Sequence, residues 1–120
     1  MKMIKISQVP KTPRESPIFT GPVTMQPLVD ESLSKQFTIT HVNFEKGVRN
    51  KLHTHTSDQT LVVTEGKGIV ATENEEVTVG PGDVVFIPAG EKHWHGAAQG
   101  STFSHIYVLS PESATTQIEK

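Results

Sequence analysis

Cysteine is absent from the 120 residues, so the chain can form no disulfide and no thiolate metal site, and any transition metal must be taken by imidazole and oxygen donors. Long apolar runs are also missing. No stretch approaches the roughly 20 residues of a membrane span, and the start, MKMIKISQVPKTPRESP, lacks the continuous apolar segment of an export signal. The expectation is a soluble, cytoplasmic protein with no membrane partner. Nor does one sign of charge dominate. The net charge is -2 and the basic residues are scattered, which leaves no positive patch for nucleic acid. A chain of this length builds one modest core and, at most, one active pocket.

Helical periodicity is the next thing lacking. Residues 1 to 27 carry five of the eight prolines, Pro10, Pro13, Pro17, Pro22 and Pro27, and read as extended chain. Residues 1–36 are therefore expected to form an N-terminal arm, with its isoleucines laid along the barrel or a neighbouring subunit. FTITHVNF (37–44) alternates and is rich in β-branched and aromatic residues, as a strand should be. Short runs of the same kind follow, TLVVT, KGIVAT, EVTV, DVVFIP, the HWH segment and TFSHIYVL, punctuated by turn residues such as Gly66, Gly68, Gly80, Gly82 and Gly90. This pattern predicts an all-β, antiparallel sandwich or barrel over residues 37–110. Residues 111–120 read as a polar C-terminal tail, frayed helix or plain terminus. No solenoid repeat, phosphate-cradling glycine loop or nucleophile elbow is present.

Histidine is what the chain has, and it comes in pairs. His53 and His55 are two apart, so on an extended chain both imidazoles point to one face and can share a metal ion. Gln59 lies four further on, and Leu61 and Val63 continue that face as an oily wall. His93 and His95 repeat the spacing downstream. His95 is read either as a pocket residue or as a satisfied buried histidine. In the last strand Phe103, His105, Tyr107 and Leu109 share the face expected to be interior. Asp58 is the competing ligand to Gln59, but it falls on the opposite face of an unbroken strand. Trp94 alternates away from His93 and reads as packing.

Two spacings carry a resemblance. Gly47, His53, His55, Gln59 and Gly66 are similar to the first motif of the small single-domain cupins, with Gln in place of Glu; Gly82, Pro88, Gly90 and His93 are similar to the second, with Ala97 where Asn often stands. Within that family, HTHTSDQTLVVTEGKG and PGDVVFIPAGEKHWHGA most resemble the manganese-type cupins similar to bacterial hydroxynitrile lyases, often found with carboxymuconolactone decarboxylase relatives. The resemblance implies a jelly-roll barrel and a divalent metal on His53, His55, Gln59 and His93. Manganese is the first choice of ion, with Fe, Zn, Ni and Co as alternatives. It further implies that Thr40 and Val42 line the pocket beside Leu61, Phe103 and Tyr107, turning His41 outward as a structural residue. By the same resemblance His105 is a base, with His95 the other catalytic candidate, and the assembly is a homodimer or homotetramer.

The function expected is a metal-dependent enzyme acting on a small hydroxylated or carbonyl compound, with cyanohydrin cleavage and formation implied by the resemblance. Two other readings stand beside it. One is a metal-dependent dioxygenase, disfavoured because Gln departs from the two-His-one-carboxylate triad. The other is a non-catalytic cupin that binds a metal or small molecule.

Overall fold

A computed structural model describes residues 1–120. Its strands run Thr12–Pro13 (β1), Val23–Val29 (β2), Thr38–Phe44 (β3), His53–His55 (β4), Gln59–Gly66 (β5) and Gly68–Thr72 (β6). The remainder are Glu76–Val79 (β7), Val84–Ile87 (β8), His93–Ala97 (β9), Phe103–Leu109 (β10) and Thr115–Gln117 (β11). A single 3-10 turn, Ile6–Gln8, is the only helical element, and no helix is long and apolar enough to cross a membrane.

All the pairings are antiparallel, as short strands joined by tight turns require. One sheet has the order β1-β2-β3-β10-β5-β8 and the other β11-β4-β9-β6-β7. The sheets face each other as a jelly roll without hydrogen bonds closing them into one barrel. Between them lie Val23, Val42, Phe44, Leu61, Val63 and Phe103, each 3 % exposed or less. Strand β10 runs down the middle of the first sheet, with Tyr107 opposite Thr40 on one side and Leu61 on the other. The alternation read from the sequence therefore places Phe103 and His105 inward, and both are fully buried.

Two boundaries differ from the sequence reading. Within the segment 1–36, β2 is a full strand of the first sheet, paired with β3 from Val23↔Phe44 to Val29↔Ile39. Pro27 is accommodated because the register slips between Pro27 and Val29. The residues before it lie on the chain's own sheet, where the Gln26 amide donates to the carbonyls of Ile6 and Val9 at 3.1 and 2.9 Å. In the segment 111–120, β11 pairs with β4 from Thr115↔His55 to Gln117↔His53. It is secured by Glu119, whose two oxygens accept from Arg49 at 3.0 and 2.7 Å and which also takes the Leu52 N–H at 2.9 Å. These bonds hold the Glu119 carboxyl down at about 2.

Two glycines show why no side chain is tolerated there. Gly66 turns the chain out of β5 with φ +74, and a Cβ would run into the Thr102 carbonyl. Gly68, expected at a turn, instead begins β6 with its missing side chain against the Phe103 ring. Phe103 is thus packed on all sides. Changing Phe103 to Ala is expected to cost about 3–5 kcal/mol of unfolding free energy in urea; a loss below about 1 kcal/mol would contradict this packing.

Candidate metal centre

His53 and His93 are direct partners across β4 and β9, so their side chains leave the sheet on the same face. His55 joins them two residues on. The three ligand nitrogens lie within 4.8 Å of one another, and all three residues are buried. Gln59 opens β5 in the opposing sheet and brings its Oε1 to 3.3 Å from His93 Nε2. The cluster is therefore built across the seam between the sheets.

Hydrogen bonds fix the protons. His53 Nδ1 lies 2.6 Å from the Lys51 carbonyl and His93 Nδ1 2.9 Å from the Glu91 carbonyl. A carbonyl only accepts, so both rings carry their proton on Nδ1 and turn a bare Nε2 inward. His55 Nδ1 lies 2.8 Å from the Thr115 hydroxyl, which can accept or donate, and its buried Nε2 has no partner in the protein. Thus the lone pair of His93 Nε2 faces the acceptor oxygen of Gln59, with the unpartnered Nε2 of His55 beside them. Such a set of acceptors is stable around a cation, and outer hydrogen bonds of this kind orient imidazoles toward metals. Three imidazoles and one carbonyl oxygen suit a divalent transition ion.

Burial lowers every one of these histidines. His53 and His55 fall from their ordinary 6.5 to about 4, burial being the chief cause and neighbouring imidazoles the next opposing influence on protonation. His93 is lowered for the same first reason. All three are neutral at physiological pH, the form that binds metal.

A cavity of about 360 Å³ opens onto the cluster. His95 and His105 line it, and their protons are also placed. The His95 backbone N–H donates to Asn50 Oδ1 at 2.8 Å, so it is the Asn50 amide nitrogen that donates to His95 Nε2 at 3.2 Å. The His95 proton must then sit on Nδ1, where it donates to His105 Nε2 at 3.1 Å. His105 Nε2 is an acceptor as a result. Burial pushes His105 down to about 3, and His95 well below its ordinary value.

The structure brings together His53, His55, Gln59, His93, His95 and His105 in one buried region, and places Val42 and Tyr107 in the cavity wall. Thr40, Leu61 and Phe103 are corrected: they are buried, but the wall passes instead through Met25, Phe44 and Leu109. Leu61 and Phe103 are consumed by core packing, which strand alternation alone cannot tell from pocket lining. The Asp58 carboxylate accepts from Ala89 N–H at 2.9 Å, outside the cluster. His41 does face away from Val42, but it is buried rather than solvated, held between Gln26 Oε1 and Thr64 Oγ1 at 2.7 Å each. Trp94 packs under the Arg49 guanidinium, 4.7 Å from its ring centre. Sequence reasoning missed Asn50, Thr115 and the N-terminal contribution of Arg14, Ile18 and Phe19 to the wall. Asn50 had a signal, being the polar residue three before His53; the others are brought in by long-range pairing.

An antiparallel two-sheet fold with a seam of inward-facing histidines defines a jelly-roll protein with a candidate metal site in its interior. Residues 40–109 match the cupin domain family, and the chain belongs to it. It is 42% identical over 91 residues to a protein named (R)-mandelonitrile lyase from Granulicella tundricola, covering 75% of this chain and 70% of that one. An acireductone dioxygenase of Leptospira biflexa is 32% identical over 73 residues, 58% of this chain and only 41% of that protein. Among solved structures, a cupin-like protein from Thermotoga maritima superposes with a TM-score of 0.86 at 31% identity, covering 94% of this chain and 89% of that one.

Two outcomes follow from the hydrogen bonds and the burial. Thr115→Val should weaken manganese binding about 10-fold or more with the fold intact, and Thr115→Ser should restore it; equal affinity in all three proteins, by titration calorimetry, would refute the orienting role. In the metal-free protein, His53 and His55 bind protons near 6.5 when unfolded but only near 4 when folded. Their contribution is present above about 6.5 and lost as the pH falls toward about 4. Stability in urea with chelator present should drop across that window, and a flat profile would contradict it.

Proposed function

We propose that this cupin is a metal-dependent enzyme acting on a small hydroxylated or carbonyl compound, with cyanohydrin cleavage and formation as its reaction. One observation carries the reading: the clustered ligand nitrogens of His53, His55 and His93 lie beside Gln59 Oε1, and the hydrogen-bonded His95–His105 pair lines the same cavity. The 42% identity to a protein named (R)-mandelonitrile lyase supports the choice of reaction.

A divalent ion held by His53, His55, Gln59 and His93 would supply Lewis acidity toward a hydroxyl or carbonyl oxygen, its charge undiminished by four neutral donors. The remaining work belongs to the cavity residues. His105 is neutral at physiological pH, and with its pKa near 3 it takes a proton only from an oxygen whose proton affinity has been lowered. His95, held by Asn50, keeps the His105 ring oriented through their shared hydrogen bond. In cleavage the substrate hydroxyl gives its proton to His105 Nε2, once that nitrogen has released the His95 Nδ1–H it accepts at rest. The carbonyl forms as the carbon–cyanide electron pair leaves with cyanide, and His105 returns the proton to that leaving group. The apolar side chains of Val42, Phe44 and the half-buried Met25 accept the hydrocarbon part.

The test is metal content followed by cyanide release from mandelonitrile, with and without chelator. His53→Ala should lose stoichiometric metal while remaining folded, whereas His105→Ala should keep the metal and lose about 10²–10⁴-fold in rate. Full metal occupancy in the His53 variant, or normal turnover in the His105 variant, would overturn the assignment of that residue. Oxygen consumption in place of cyanide release would favour the dioxygenase reading.

A further inference from the structure

The wall of the cavity has a charge pattern that the proposed reaction does not use. No Asp or Glu lines it, and its histidines at the centre are held neutral by burial. The one cationic residue in the wall is Arg14, which is exposed and also borders the adjoining groove that holds Glu15. It follows β1, and its backbone is fixed by donation to the Val23 carbonyl at 2.9 Å. Its guanidinium is not neutralised: the ion pairs of the protein join Arg49 to Glu119 and Lys92 to Glu73. Glu15, its neighbour in sequence, does not reach the cavity.

An arginine on a concave wall free of carboxylates is a ready partner for an anion, because its planar fork matches a carboxylate with two parallel hydrogen bonds. The surrounding field favours the same choice. A pocket lined by one sign of charge with low-dielectric walls concentrates ligands of the other sign. Ile18, Phe19, Met25 and Leu109 give the wall an apolar part beside the polar Ser16, Thr115 and Gln117. A ligand that satisfies the whole cavity therefore has an oxygen at one end, a hydrocarbon body, and a negative charge at the other.

We propose that Arg14 is a specificity-determining residue that binds the carboxylate of the substrate, making the natural compound a small hydroxy or oxo acid, or the cyanohydrin of an oxo acid. This rests on the metal reading of the same cavity and narrows its substrate class. Arg14 makes no side-chain hydrogen bond or ion pair with the ligand residues, so its role is in recognition and not in holding the ion.

The experiment compares mandelate with its uncharged amide, mandelamide, by calorimetric titration into manganese-loaded wild type, Arg14→Gln and Arg14→Lys proteins. Any preference for the acid that manganese itself confers is common to all three and cancels in the comparison. The acid-to-amide affinity ratio should fall about tenfold or more in Arg14→Gln, with mandelamide binding unchanged, and should be partly retained in Arg14→Lys. A ratio independent of residue 14 overturns this inference alone. Weaker manganese binding by Arg14→Gln also overturns it, since Arg14 would then act on the centre itself. If wild type takes up no manganese, the metal reading and this inference fall together.

Discussion

The centre depends on where two protons sit. Had His53 or His93 carried its proton on Nε2, the ring would present a donor to its neighbours and the cluster would close as a hydrogen-bonded knot. The carbonyls of Lys51 and Glu91 prevent this by accepting from Nδ1. What remains inside is a group of lone pairs with nothing to bond to, an arrangement that is costly in a dry interior without a cation. The cross-strand register of His53 with His93 sets the distance, and the hydrogen bonds set the direction.

Desolvation then ties the site to the fold. The same burial that makes the core cohesive keeps the imidazoles neutral, so metal competence is a by-product of packing the two sheets together. His95 and His105 extend this logic deeper. Neither can ionise cheaply where it lies, and the order Asn50, His95, His105 runs the donors toward His105 Nε2, which accepts the last of them. In the proposed reaction so weak a base is useful only toward an oxygen that has been acidified nearby, which would couple the two halves of the cavity.

The two-residue spacing of the histidines and the alternation of TFSHIYVL made the ligand strands and the inward face of β10 legible in the sequence, because period two is a local property of extended chain. The strand nature of 23–29 was hidden by Pro27, which a register slip accommodates. The strand 115–117 was hidden by its polarity: it is an exposed edge whose partner, β4, is about sixty residues away. Non-local pairing of that sort leaves no trace in a window of sequence. The same limit explains why Thr115 and Arg14 went unnoticed, and why Leu61 and Phe103 were placed in the cavity wall when their bulk is spent in the core.

The acceptors that orient His53 and His93 both belong to the main chain, each two residues before the ring it holds. Every amino acid carries a carbonyl, so positions 51 and 91 can drift in sequence while their contribution stays the same. An alanine scan would pass over them in silence. The orientation of the centre is thereby shielded from mutation, and its inheritance rests on the path of the backbone; only a change to the peptide group itself, or to the course of β4 or β9, would expose how much those two residues contribute.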